Sequence, residues 1–174
     1  MPKLRKFCAY RRIERPYTRV SKYRKKAFIK VRPPIKLLHF DMGTPQKTFD
    51  YEIDLVPKES LQIRHNALES ARMICNKSLE ENIGKTSYFF KVKVYPFHIL
   101  RENPLAAGAG ADRMSTGMAH SWGKPIGAAA QVQHGKPVFT IHVNKEHMDA
   151  ARKALKAASH KLPLSYQIVE KIKK

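Results

Sequence analysis

The sequence predicts an α+β fold in which two helices pack on a mostly antiparallel sheet. Strand-like segments outnumber the two segments with helical periodicity. Two of the strand-like segments flank a Gly-containing turn typical of a hairpin, and most connections are too short for the crossovers that parallel strands need. With 174 residues, 43% of them hydrophobic, the chain suits one domain with extensions.

The first strands come before the first helix. Residues 35–40 read as a strand that closes at Asp41-Met42-Gly43, and residues 61–64 read as a short strand. Between them, apolar and acidic residues alternate over residues 49–55, the pattern of a half-buried strand. We therefore expect its acids to lie on the solvent face; a metal or acid–base cluster is the less favoured interpretation. These acids are Asp50, Glu52 and Asp54.

The first helix is indicated by apolar residues that recur at helical spacing from Leu68 to Ile83. Asn66 and Glu69, three residues apart, form a candidate capping pair. Gly84 is expected to end the helix, because glycine tolerates the positive φ of a helix C-terminus. Cys75 lies on or beside the apolar stripe, so we expect it in the core.

The second half of the chain alternates strands, a turn and a second helix. The hairpin is expected to pair residues 128–132 with 138–143 across His134-Gly135-Lys136-Pro137. Asn144 can cap a helix from Lys145 to about His160. The other predicted strands are residues 88–95, interrupted by Pro96, residues 97–100, and residues 164–168.

A long loop, residues 101–125, separates two of these strands and reads RENPLAAGAGADRMSTGMAHSWGKP. Connections longer than ~12–15 residues without structure of their own are usually functional or disordered. This one is rich in Gly and Ala and carries Arg101, Arg113, His120, Trp122 and Lys124. We interpret it as a mobile basic finger held out by the folded body. The alternative is a surface loop with no role.

Residues 1–34 form a basic N-terminal extension, and residues 35–174 the folded domain. Residues 1–36 contain 14 Lys and Arg against one acid, Glu14, which is +13 of the total net charge of +20. Such self-repulsion predicts a segment that orders only where phosphates neutralise it. A solvated tail that serves solubility is the alternative, but the segment also carries five aromatic residues: Phe7, Tyr10, Tyr17, Tyr23 and Phe28.

The charge excess predicts a polyanionic partner, either nucleic acid or an anionic membrane. No segment approaches the ~20 apolar residues of a spanning helix, and no apolar core follows the basic N-terminus, so RNA is favoured. The candidate RNA-binding residues of the extension are Lys3, Arg5, Lys6, Arg11, Arg12, Arg15, Arg19, Lys22, Arg24, Lys25, Lys26 and Lys30. Cys8 and Cys75 lack the spacing of a zinc site, and the reducing cytosol is the simplest compartment.

No pattern in the sequence favours catalysis, a metal or a cofactor. Residues 108–113 contain two glycines of a dinucleotide fingerprint but not the third, and Lys124 is followed by neither Ser nor Thr. The eight histidines show no paired ligand spacing, so we expect most to be polar surface or RNA-facing groups. Ser115 and Ser121 lie near His120, but no orienting carboxylate is evident.

The loop and its flanks resemble a known family. The motifs are Pro96-Phe97-His98, Arg101-x-Asn103, Ala109-Gly110-Ala111-Asp112-Arg113, Thr116-Gly117-Met118 and Gly123-Lys124-Pro125-x-Gly127, together with residues 64–72 in the first helix. They resemble the large-subunit ribosomal proteins called L-ten-e in archaea and eukaryotes and L-sixteen in bacteria, and the length is more archaeal. Residues 104–108 depart from the family pattern, because Ala and Gly replace bulkier residues.

The resemblance implies a hammerhead-type α+β fold without catalytic activity. It implies a place on the large subunit among ribosomal RNA helices, near 5S RNA and other large-subunit proteins, with the loop directed toward tRNA near the peptidyl-transferase centre. The residues that it places near tRNA are Arg101, Asn103, Gly108, Gly110, Asp112, Arg113, Thr116, Gly117, His120, Trp122 and Lys124.

Several alternatives stay open at this point. Trp122 can clamp a nucleotide or fill the root of the loop against the core, and Arg101 and Arg113 can instead pair with Glu102 and Asp112. The whole protein can also be a free-standing RNA-binding protein or a transient ribosome-assembly factor.

Overall fold

The computed structural model describes residues 4–18, 22–26, 28–29, 31–103 and 122–172. Two α-helices, α1 (His65–Asn82) and α2 (Met148–Ser159), pack against each other and against the strands. The strands are β1 (Asp41–Gly43), β2 (Tyr51–Pro57), β3 (Leu61–Arg64), β4 (Tyr88–Val92), β5 (His98–Glu102), β6 (Lys124–Val132), β7 (Phe139–Val143) and β8 (Tyr166–Ile172). The α+β class is confirmed.

The strands form two antiparallel sheets. The larger has the order β1-β4-β7-β2-β8 and the smaller the order β3-β6-β5. The apolar core includes residues of α1, α2 and both sheets, among them the fully buried Phe90, Phe139 and Leu68. The rings of Phe90 and Phe139 meet edge to face with centroids 5.3 Å apart, an arrangement that aromatic pairs favour.

The predicted hairpin around His134-Gly135-Lys136-Pro137 is wrong. A turn does occur there: Gly135 has a φ of +81°, and the Lys136 N–H donates to the Gln133 carbonyl at 3.2 Å. However, β6 pairs with β3 and β5, whereas β7 pairs with β2 and β4. The turn therefore carries the chain from one sheet to the other.

Some predicted strand bounds also differ. Residues 35–40 are not a strand; the ladder begins only at Asp41 and pairs β1 with residues 89–91 of β4. The predicted strand 88–95 ends at Val92, and the last strand begins at Tyr166 rather than Leu164. The strand predicted at residues 61–64 is confirmed.

Asp54 contradicts the prediction of a solvent-facing acidic strand. β2 lies between β7 and β8, and only 1% of Asp54 is exposed. Its carboxylate accepts hydrogen bonds from the Thr140 hydroxyl at 2.6 Å and from Lys171 Nζ at 2.8 Å. A buried carboxylate needs such partners because it loses its hydration. Asp50 is exposed, as predicted.

The helix ends agree with the sequence in part. Gly84, with a φ of +85°, follows α1 and donates its N–H to the Glu80 carbonyl, as predicted. The capping pair is wrong, because Glu69 forms an ion pair with Arg72 at 2.6 Å. Cys75 is buried in the core, as predicted.

The second helix also begins later than predicted. Residues 145–147 form a 3-10 turn, and α2 starts at Met148. The Asn144 side chain makes no capping hydrogen bond there, whereas its backbone carbonyl accepts from the His147 N–H at 3.1 Å.

Candidate nucleic-acid interface

Residues 4–18 of the N-terminal extension lie along the three-stranded sheet, and we call this segment the arm. Two amide side chains, from the adjacent strands β3 and β6, hold its backbone. Gln62 Nε2 donates to the carbonyls of Tyr10 (2.9 Å) and Arg12, and Gln131 Nε2 donates to the carbonyl of Glu14 at 2.9 Å. Alternate carbonyls of the arm are thus bound by neutral donors.

Two buried histidines bind backbone N–H groups of Tyr17, in the extension, and of Lys36, just after it. His98 Nδ1 accepts the backbone N–H of Tyr17 at 2.9 Å, and His65 Nδ1 accepts that of Lys36 at 3.1 Å. Burial lowers the pKa of both histidines. The positive charge of Lys36 lowers the pKa of His65 further, whereas at His98 the Glu14 carboxylate opposes the lowering and Arg101 adds to it. Each imidazole is therefore neutral at pH 7, as an acceptor nitrogen requires.

The start of the arm is fixed by contacts of a different kind. The Arg64 guanidinium donates to the Arg5 carbonyl at 2.6 Å, and Arg5 Nε pairs with Glu102 at 2.5 Å. Leu4 packs so closely on Gly127 that a Cβ at that glycine would lie 3.1 Å from the leucine methyl. The arm therefore begins against β6, close to the root of the loop 101–125.

These contacts bear on the expected disorder of the free extension but not on the predicted domain boundary. Residues 4–18 have defined partners on the body without phosphate, contrary to the prediction that the segment orders only where phosphates neutralise it. The reason is that the docking bonds mostly use the neutral backbone, so they do not depend on cancelling its charge. The domain boundary at residue 34 stays a prediction.

Although its backbone is bound to the body, the arm exposes most of its basic side chains to solvent. Arg11, Arg12 and Arg15 are exposed, and within the described ranges none of them pairs with a carboxylate. Further along, Lys22 and Lys26 lie 5.2 and 5.7 Å from the ring centroid of the exposed Tyr23. The other exposed candidates of the extension are Lys6, Arg24 and Lys25, while Lys3, Arg19 and Lys30 lie outside the described residues.

The root of the loop is a short ladder between β5 and β6. Arg101 stands opposite Pro125, and Glu102 stands opposite Lys124. Gly123 has a φ of +77°, and a Cβ there would lie 2.7 Å from the carbonyl carbon of Glu102, so the close approach requires glycine. The ladder fixes where the loop leaves the body.

Two side chains at this root decide the alternatives for Arg101 and Trp122, whereas the pairing of Arg113 with Asp112 lies outside the described residues. The Arg101 guanidinium lies 3.9 Å from the ring centroid of Tyr17, a cation–π contact between loop root and arm, while Glu102 pairs with Arg5. Trp122 is 71% exposed, so it does not fill the root of the loop against the core.

Arg101 separates two surface clefts. One, of about 640 Å³, is lined by residues 15–18, Phe28 and Arg101. The other, of about 210 Å³, contains Trp122, Asn103 and Tyr10 beside Arg101. The arm and the loop root thus present adjacent aromatic and guanidinium groups, which suit base stacking and phosphate binding rather than bond-breaking chemistry.

Most of the loop residues predicted to lie near tRNA fall outside the described residues: Gly108, Gly110, Asp112, Arg113, Thr116, Gly117 and His120. In the part of the chain that is described, no group of three His, Cys, Asp or Glu side chains is placed to hold a metal ion. No helix in that part has the length and apolar character needed to cross a membrane.

Sequence reasoning missed the residues that dock the arm. Gln62 and Gln131 were not singled out, and His98 was named only within a family motif. The histidines were expected mostly at the surface, whereas His65, His98 and His142 are buried. A signal was present for Gln62, since it stands between the apolar Leu61 and Ile63 in a short predicted strand.

Comparison with known proteins identifies the family. The family model described as ribosomal protein L16p/L10e matches residues 18–169. A relative from Methanococcus maripaludis, named large ribosomal subunit protein uL16, is 46% identical over 166 residues, covering 95% of this chain and 93% of its own. Proteins of the same name from Staphylothermus marinus (46% over 159 residues, covering 90% and 91%) and Archaeoglobus fulgidus (42% over 160 residues, covering 92% and 88%) are also similar. The chain therefore belongs to the L16p/L10e family of ribosomal proteins.

Proposed function

We propose that this protein, a non-enzymatic structural constituent of the large ribosomal subunit, binds ribosomal RNA with its arm and the root of its loop. The observation that carries the proposal is that the body binds the backbone of the arm and leaves its arginine side chains exposed. Gln62, Gln131 and His98 hold the arm backbone through neutral groups, while Arg11, Arg12 and Arg15 remain exposed. The docked backbone presents these guanidinium groups from one extended segment.

This arrangement suits phosphate binding for two physical reasons. An exposed guanidinium offers forked donors that match phosphate oxygens, and one that has no carboxylate partner loses no ion pair when it binds them. Each phosphate that is neutralised also releases condensed counterions, which favours binding at low salt. Double-stranded RNA is recognised mainly by its shape and backbone, so a basic surface without a base-reading motif suits it.

We further propose that the loop 101–125 lies near tRNA by the peptidyl-transferase centre, with 5S RNA and other large-subunit proteins nearby. Support comes from the root, where the β5–β6 ladder fixes the point at which the loop leaves the body and the exposed Trp122 can stack on a nucleotide. Asn103 and Lys124 lie in the two described ends of the loop, residues 101–103 and 122–125. A ribosomal protein of this kind works in the cytoplasm.

The test is to replace Arg11, Arg12 and Arg15 together by Gln and measure binding of the full chain to large subunits stripped of it by salt. With ~0.7–0.9 counterions released per phosphate, the slope of log affinity against log salt should become shallower by about 2 to 3. A control variant, Lys77→Gln with Lys91→Gln, removes two charges whose carboxylate partners are already present in the fold.

The control slope should match that of the wild type. An unchanged slope in the arginine variant would contradict the role of the arm. Wild-type protein that fails to bind stripped subunits would overturn the proposal as a whole. Occupancy far below one copy per mature subunit would indicate a transient assembly factor instead.

A further inference from the structure

A second aromatic and basic surface lies at the crossing from β4 to β5. The Phe97 N–H donates to the Tyr95 carbonyl at 2.9 Å, which closes a three-residue turn centred on the buried Pro96. The turn carries the chain from the five-stranded to the three-stranded sheet. It also presents two large aromatic side chains to solvent, Tyr95 at 52% exposure and Phe97 at 39%.

A cleft of about 390 Å³ opens beside these rings. Val94, Val132 and Pro137 supply apolar lining, and Lys93 and Lys136 are exposed along it. Among the described residues, neither lysine pairs with a carboxylate, and no acidic residue lines the cleft.

The aromatic surface is held in place rather than loosely exposed. The Tyr95 ring stacks on Phe40, with centroids 5.7 Å apart and the planes inclined by 29°. Lys93 is anchored through its backbone N–H, which donates to the Val138 carbonyl at 2.9 Å. Little side-chain freedom at Tyr95 is then left to be lost when a flat ligand binds.

We propose that this cleft binds one unpaired nucleotide of ribosomal RNA, an inference that rests on the proposed function. The base stacks against the ring of Phe97 or Tyr95, and Lys93 and Lys136 bind the flanking phosphates. Charge complementarity favours RNA, since both free charges of the cleft are positive on a chain of net charge +20. Single-stranded nucleic acid is bound by this combination of aromatic rings and cations.

The cleft also continues the surface of the arm. Gln131, which lines it, is the residue whose side chain holds the Glu14 carbonyl. The arm and the cleft therefore meet at Gln131.

The experiment compares Phe97→Leu with Phe97→Trp in the full chain, binding to large subunits stripped of the protein by salt. Stacking is worth ~1–3 kcal/mol per base, so Phe97→Leu should weaken binding by about fivefold or more, while Phe97→Trp should stay within about twofold of the wild type. Lys93→Gln with Lys136→Gln should make the salt slope shallower by about 1 to 2. Lys85→Gln, at an exposed lysine between α1 and β4, is the charge control.

Ultraviolet crosslinking of intact subunits gives a second readout that does not depend on variant folding. Trypsin cuts after Lys93 and Arg101 and releases residues 94–101 as one peptide. A nucleotide adduct on Tyr95 or Phe97 of this peptide is the expected result, whereas an adduct on Arg101 would report the root of the loop. If wild-type protein binds but Phe97→Leu binds equally well and neither ring carries an adduct, this inference fails while the proposed function stands. A crosslink from Lys93 or Lys136 to another protein, without a nucleotide adduct, would also overturn it.

Discussion

The docking of the arm depends on Gln62, and its replacement gives a quantitative prediction. Gln62 is 97% buried and donates two hydrogen bonds from one amide, to the carbonyls of Tyr10 and Arg12. Methionine has a similar length and flexibility but no donor. Gln62→Met therefore removes both bonds to the arm, together with the hydrogen bond that Gln62 Oε1 accepts from Gln131 at 3.2 Å, and it leaves the apolar neighbours Leu61 and Ile63 in place.

The magnitude follows from the two bonds. A hydrogen bond within a protein contributes ~0.5–1.5 kcal/mol net, so the docked arm should lose about 1 to 3 kcal/mol relative to the undocked state. That corresponds to an increase of about 5- to 150-fold in the undocked population. Because the apolar contacts of Leu61 and Ile63 in the core are unchanged, the free energy of global unfolding should change much less.

Limited proteolysis measures the undocked population. Trypsin cuts after Arg11 and Arg12 but not after Arg15, which precedes Pro16. Its rate follows the open fraction when opening and closing are faster than cleavage. Cleavage in the free protein should accelerate by the factor given above. Gln133→Met is the control. Gln133 is exposed directly after β6, and its side chain makes no hydrogen bond within the described residues. A rate for Gln62→Met within about twofold of the wild type would refute the docking role.

Three further predictions test other parts of the structure. Because burial lowers the pKa of His98, the arm should be fully docked above pH ~6.5 and should loosen as the pH falls below it. The check is the tryptic cleavage rate divided, at each pH, by the rate for an unstructured peptide, which corrects for the loss of trypsin activity at low pH; this ratio should rise as the pH falls, and His98→Gln should weaken the dependence. Asp54→Asn should lower the free energy of unfolding in urea by about 1.5 to 3 kcal/mol, and the exposed Asp50→Asn by less than about 0.5 kcal/mol. Trp122→Leu should leave both the urea midpoint and subunit binding near wild type but impair tRNA-dependent function; a large fall in stability would contradict its exposed position.

Local patterns predicted the elements better than their partners. Residues 61–64 and 88–92 are strands as expected, because alternation and β-branched or aromatic residues act within the segment itself. The pairing of β6 and β7 was wrong because it is decided by distant strands. β6 pairs with β3 and β5, and β7 pairs with β2 and β4.

Buried polar residues within strands explain the remaining errors. Alternation places Asp54 and Gln62 opposite the core, where a sequence suggests solvent. In the structure Thr140 and Lys171 bind Asp54, and the arm covers Gln62. Whether a polar side chain faces water or another segment depends on contacts far along the chain, which no local pattern contains.

The most direct test of the RNA-facing arm is a density map of the intact large subunit traced through residues 4–18 and the root of the loop. The account predicts RNA phosphate oxygens within ion-pair distance of the guanidinium groups of Arg11, Arg12 and Arg15. Guanidinium groups that meet only solvent or protein carboxylates would contradict it.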